Sequence, residues 1–178
     1  MIIIHIIKLT DNNIYLYNKK KKKLITEPIS SNIIKDCKIY NVKKIIKTLE
    51  EVIKRNKMND GILKTNLKIL INETITPAEK FTLEHVLSRL INVKYELISE
   101  ESLINDKDIL IMWSDNIYYQ KSKANINEVK KSTFSIKKEI ILVGMSDNFE
   151  KNKEILERVF KINIFEYENS DTILFERA

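Results

Sequence analysis

Glycine occurs only twice in these 178 residues, at Gly61 and Gly144, and this scarcity limits the ligand sites open to the chain. A loop that wraps a phosphate needs several glycines, because its backbone must approach the anion closely and adopt positive φ. The chain therefore holds neither a P-loop nor a G-x-G-x-x-G fingerprint.

The length suits one ordinary domain, or two small lobes sharing a core. Hydrophobic residues make up 43% and charged residues 31%, the balance of a globular chain rather than a disordered one. The apolar opening Met1–Ile7 is far shorter than the ~20 residues of a spanning helix, is ended by Lys8, and lacks the pattern of a signal peptide. A cytoplasmic chain without a transmembrane segment is the expectation. Cys37 is the only cysteine, and His5 and His85 lie far apart, so no disulfide or Cys/His zinc cluster can be assembled. A Cys-His nucleophile pair has nothing around Cys37 to mark it, which favours a small buried thiol.

Charge is distributed unevenly. Residues 1 to 70 carry 16 Lys+Arg against 6 Asp+Glu, or +10, and the remainder carries 15 against 19, or −4. A basic half of this kind suits nucleic acid, an anionic membrane surface, or the acidic half of a neighbouring copy.

The pattern predicts strands over Ile2–Leu9, Ile14–Tyr17 and Leu24–Pro28, joined as an antiparallel meander with a tight turn at Asp11-Asn12-Asn13. Apolar residues Val42, Ile45, Ile46, Leu49, Val52 and Ile53 fall three and four apart, the stripe of a helix that ends near Arg55. Asn59-Asp60-Gly61 reads as a turn. After a strand over Leu67–Ile71, Thr76 can cap a helix, Pro77 suits its first position and Glu79 closes a capping box. Leu83, Val86, Leu87 and Leu90 continue the buried stripe and Val93–Ile98 returns as a strand, a crossover of the parallel kind. A hairpin follows over Asp108–Trp113 and Ile117–Gln120, then a polar stretch over 121 to 137. A strand at Glu139–Val143, a helix at Phe149–Phe160, a strand at Ile162–Tyr167 and a short terminal helix complete the order. The second part partly repeats the first, as a duplication would.

Four segments in the same order resemble the actin superfamily. "IYLYNKKKKKLITEPIS" resembles the first phosphate hairpin of the MreB-type bacterial actins and matches without a gap from Asn13 to Pro28. "IIKDCKIYNVKKIIKTLEEVIKR" is similar to the family's turn, strand and long helix. "LKILINETITPAEKFTLEHVLSRLINVKYELISEES" resembles its strand, Thr-x-x-Glu helix and strand. "EIILVGMSDNFEKNKEILERVFKINIFEYENSDTILF" resembles the closing segment with the adenosine loop. The resemblance implies an α/β actin-like (ribonuclease H-like) fold of mixed sheets flanked by helices. Its two small lobes would be residues 1–105, like subdomain IA, and 106–178, like subdomain IIA. There is no room for subdomain IB between Ser30 and Ile33, nor for IIB between Tyr119 and Lys138.

The departures fall on the chemistry. Where the family has aspartate, leucine, glycine and threonine, this chain has Lys8, Leu9, Thr10 and Asp11, so an ammonium replaces the Mg²⁺-facing carboxylate. The second phosphate loop would fall near "DKDILIMWSDNIYY", which has no glycine, and only Gly144 survives in the adenosine loop. Thr10, Asp11, Asn13 and Gly144 thus occupy degenerate cofactor-binding positions. Glu79 aligns with the glutamate that activates water in the family and is the one catalytic candidate; its structural alternative is the capping box. No metal ligand is identified.

Lys19, Lys20, Lys21, Lys22 and Lys23 are candidates for an anionic partner; the alternative is a solvated hairpin that discourages strand aggregation. Trp113, Tyr118 and Tyr119 read as core, and His85 as the border of a buried stripe. The expectation is a divergent cytoskeletal or cell-shape protein, a non-hydrolysing scaffold without a cofactor that meets protein partners or copies of itself. It would be cytoplasmic, or peripheral at the inner membrane face. The alternatives are an ATPase using Mg-ATP through drifted loops, and a basic module for nucleic acid or membrane surfaces.

Overall fold

A computed structural model describes residues 4–35, 38–58, 64–104, 108–136, 139–146 and 148–178. Met1–Ile3, Cys37 and the turn at Asn59-Asp60-Gly61 lie outside the described residues. The chain divides into two compact units. One comprises Met1–Ile71, Ile75–Ile98 and Ala178; the other comprises Asn72–Thr74 and Ser99–Arg177.

The first unit is built on β1 (Ile4–Leu9), β2 (Asn13–Asn18), β3 (Lys23–Pro28), β6 (Thr65–Ile71) and β7 (Val93–Ser99), in the order β3-β2-β1-β6-β7. β1, β2 and β3 form the expected antiparallel meander, and β6 lies parallel to β1. Register sets the faces: Ile7 stands opposite Leu16 on one side and Ile69 on the other, so all three point to one side of the sheet. Helices α1 (Val42–Arg55) and α2 (Pro77–Ser88) cover that side with Ile45, Leu49 and Val52, and with Leu83, Val86 and Leu87. Each such side chain, fully buried, is worth about 1.5–3 kcal/mol.

Local chemistry fixes both helix starts. The Asn41 side chain accepts from the Lys44 N–H at 3.0 Å, and Thr76 and Glu79 form a complete capping box. Between β3 and α1, where the resemblance implies a turn and a strand, lies the strand pair β4 (Ile34–Lys35) and β5 (Lys38–Ile39). Two residues per strand are too few for a period to show.

The second unit repeats the strand order: β10 (Ser122–Asn125), β9 (Asn116–Tyr119), β8 (Ile109–Trp113), β11 (Glu139–Met145) and β12 (Asn163–Glu166). β8, β9 and β10 are antiparallel, and β8, β11 and β12 are parallel. β10 falls in the stretch read only as polar, because Ser-Lys-Ala-Asn carries no β-branched residue. Helix α3 (Phe149–Phe160) buries Leu156 against Leu110, Leu142 and Ile164, and α4 (Ile173–Arg177) closes the chain. Trp113, Tyr118 and Tyr119 are core as expected, with Trp113 edge-on to Phe175 at 5.8 Å. His85, read at the border of its stripe, is exposed. Among the described residues no helix is long and apolar enough to cross a membrane.

Candidate functional site

The turn between β1 and β2 closes on itself. The Thr10 backbone N–H and hydroxyl both donate to the Asn13 carbonyl at 3.0 Å, and the Thr10 hydroxyl accepts from the Asn13 N–H at 3.3 Å. The Asn12 carbonyl takes the Ile29 N–H at 2.9 Å, and the Asn13 amide reaches the Tyr15 hydroxyl at 3.5 Å. A phosphate-gripping turn directs its backbone N–H groups outward; here those of Thr10 and Asn13 are engaged within the turn. Thr10 is buried to 1% exposure, Lys8 is buried opposite Tyr15, and Asp11 is half-buried.

Glu79 stands at the start of α2. Its carboxylate accepts the Thr76 N–H at 2.8 Å through one oxygen and meets the Lys38 ammonium at 3.3 Å through the other. Partial burial pushes the carboxyl pKa up, but the Thr76 backbone N–H, the Thr76 side chain and Lys38 prevail and hold it below the ordinary 4.5. A folded-state pKa below the unfolded one stabilises fully above pH 4.5, and that contribution is lost as pH falls through the folded value. Glu79→Ala is therefore expected to cost about 1 kcal/mol at neutral pH, with the deficit shrinking in acid. Glu79→Gln, which can still accept from Thr76, should cost less. Urea unfolding of the three proteins across pH checks both statements.

Lys19 to Lys23 are exposed on the β2–β3 hairpin, where Lys22 takes φ 47° and the Lys21 N–H donates to the Asn18 side chain at 3.0 Å. Only Lys23 belongs to the outer strand itself. Glu27, at the far end of β3, accepts from Arg55 at 2.8 Å and from the Asn56 amide at 3.0 Å, which ties the sheet to the end of α1. Nothing in the sequence spacing links Glu27 to those two residues.

In the second unit, one backbone donor of the β8–β9 turn is likewise engaged. Ser114 takes φ 54° and its N–H donates to the Met145 carbonyl at 2.9 Å. Gly144 has φ 115° on β11, its N–H donates to Ser170 at 3.0 Å, and a Cβ there would lie 2.0 Å from the Met112 carbonyl oxygen. This glycine answers a close backbone approach within the sheet. At the entry to α3 the Ser146 hydroxyl accepts from the Asn148 N–H and from the buried Asn152 amide, both at 3.2 Å. Ser146 and Asn152 carry no sequence signal beyond flanking the strand-to-helix junction. Among the described residues no group of three or more His, Cys, Asp or Glu side chains gathers as a metal site would require.

No protein-family model matches the chain. The cytoplasmic serine–tRNA ligase of Plasmodium falciparum (isolate 3D7) is 27% identical over 159 residues, covering 83% of this chain and 24% of the ligase. The chain thus spans about a quarter of that relative's length. Among solved structures, the ethanolamine utilization protein EutJ of Carboxydothermus hydrogenoformans superposes with TM-score 0.62 at 10% identity, covering 97% of this chain and 87% of EutJ. The filament structure of AlfA from B. subtilis plasmid pLS32 gives 0.59 at 12%, covering 97% and 96%. A Bacteroides thetaiotaomicron protein with actin-like ATPase fold and unknown function gives 0.51 at 9%, covering 98% and 94%. At such identities the likeness bears on fold alone: two mixed sheets flanked by helices, in an actin-like ATPase fold.

Proposed function

We propose that this chain is a reduced actin-like scaffold of the MreB type, cytoskeletal in role, that associates with itself or with filament proteins and does not hydrolyse nucleotide. The observation that carries this reading is the inward turning of the loops. Thr10, Asn13, Ser114 and Gly144 each direct a backbone N–H to a partner within their own unit. Mg-ATP does not fit the residues present: Lys8 puts an ammonium where the metal-facing carboxylate belongs, and the Thr10 side chain fills the glycine position. Both Glu79 oxygens already carry a structural contact, one with the Thr76 N–H and one with the Lys38 ammonium, the arrangement of a helix cap. Phosphoryl transfer depends on positioned charge, so these changes remove its means.

Scaffolding is supported by the fold's similarity to a protein solved as a filament, and the charge division between basic and acidic halves favours contact between copies. The reading includes a cytoplasmic location with residues 1–105 and 106–178 as the IA-like and IIA-like lobes. The exposed lysine hairpin would lie open to an anionic surface.

Thermal-shift and calorimetric titration with Mg-ATP and Mg-ADP tests the reading. A ligand at about 100 times its Kd adds about 2.7 kcal/mol, which for a chain of this size raises Tm by roughly 5–11 °C. No shift and no binding heat are expected. A Mg²⁺-dependent shift, lost in Thr10 or Gly144 variants that still fold, would sink the reading and restore the ATPase alternative.

A further inference from the structure

Four strands bound the two sheets, and they differ in how they are protected from pairing with another chain. β3 starts at a lysine run and ends at Pro28, and β10 and β12 have only four residues each. β7 has seven residues, no proline and exposed Lys94, Tyr95 and Glu96. A shallow cleft of about 290 Å³ runs beside these three residues. Neither Lys94 nor Glu96 makes an ion pair among the described residues.

We propose that β7 is a self-pairing edge, at which two copies of this chain join antiparallel about a two-fold axis through Tyr95. The proposal rests on the self-association reading above and names its surface.

Backbone direction permits it. The Asn92 carbonyl accepts from the Thr65 N–H at 2.8 Å, so it faces β6. Across a trans peptide the Val93 N–H points the other way, and alternation along the strand turns the N–H and C=O of Val93, Tyr95 and Leu97 to the open side. Those are the groups that an antiparallel partner engages in hydrogen-bonded pairs.

The side chains are self-complementary in the same register. With Tyr95 opposite its own copy, Val93 meets Leu97 of the second copy, and Lys94 meets Glu96 twice over, once in each direction. The Lys94–Glu96 pairs fall at non-hydrogen-bonded positions, where side chains approach more closely. Val93 and Leu97 already border the first unit's apolar cluster, so their pairing continues its apolar face across the junction. A one-residue slip would lose both ion pairs and reverse the faces. An isologous contact of this kind closes at a dimer.

Sedimentation velocity on the full chain tests it, using Lys94→Glu, Glu96→Lys, the double swap, and an equimolar mixture of the two single variants. Circular dichroism and melting curves confirm that each remains folded, as exposed sites should. The wild type is expected to dimerise, and each single variant to raise Kd by at least about tenfold because like charges face each other twice. The double swap and the mixture are expected to recover association. Unchanged association in the single variants, or no recovery in the double swap and mixture, would overturn this edge while leaving self-association standing. A wild type that stays monomeric throughout would overturn both.

Discussion

Gly144→Ala is expected to destabilise the chain strongly for a methyl-sized change. The added Cβ would lie 2.0 Å from the Met112 carbonyl oxygen, a backbone atom in the neighbouring parallel strand, and φ at this position is 115°. Neither obstacle yields to a rotamer change. A strained φ costs about 1–3 kcal/mol, and separating β8 from β11 adds to it, so about 3 kcal/mol or more is expected. That lowers Tm by about 6–12 °C for a chain of this size. A melt of the purified variant without nucleotide is the measurement. A glycine kept only for ligand contact would leave the unliganded melt almost unchanged, so the same curve separates structural need from binding.

Thr10→Gly is the second large effect, with a direction opposite to what the family pattern suggests. Installing the glycine of the superfamily's phosphate loop would loosen this turn. The Thr10 hydroxyl both donates to the Asn13 carbonyl and accepts from the Asn13 N–H, at 1% exposure. Losing it leaves the Asn13 N–H without that acceptor, at about 1–2 kcal/mol. The buried methyl adds about 0.8 kcal/mol, and glycine's extra unfolded freedom about 0.5–1 kcal/mol. A loss of about 2–4 kcal/mol in urea unfolding is expected, with Thr10→Ser recovering most of the hydroxyl's share. A Thr10→Gly chain as stable as the wild type would mean that the hydroxyl does not hold the turn.

Legibility in the sequence followed the range of the interaction. The α1 stripe and the Thr76-Pro77-Glu79 capping signal are written within a few residues, and the structure places both helices there. The meander was legible because β1, β2 and β3 are β-rich and separated by turn residues. The short pair β4 and β5, and polar β10, carry no period to read. At the candidate site, Glu79's bond to Thr76 is local and follows from the Thr-x-x-Glu spacing. Its ion pair with Lys38 crosses to another element, as does Glu27's grip on Arg55 and Asn56. The place of β7 at an edge depends on the order of the whole sheet, which no local pattern encodes.

The Glu27 tie has a further meaning for how this chain could be remodelled. Pairing between β2 and β3 runs from Asn18 and Lys23 to Asn13 and Pro28, and Glu27 fastens the outer strand to α1 near the end remote from the lysine loop. Strand register is thus anchored away from the loop, so extra residues spliced between Lys19 and Lys22 need not shift it. Each doubling of loop length costs only about 0.6 kcal/mol in closure entropy. The lysine loop is therefore the natural port for grafting a fluorophore-binding segment or a guest peptide into the first unit, with the β7 edge left untouched.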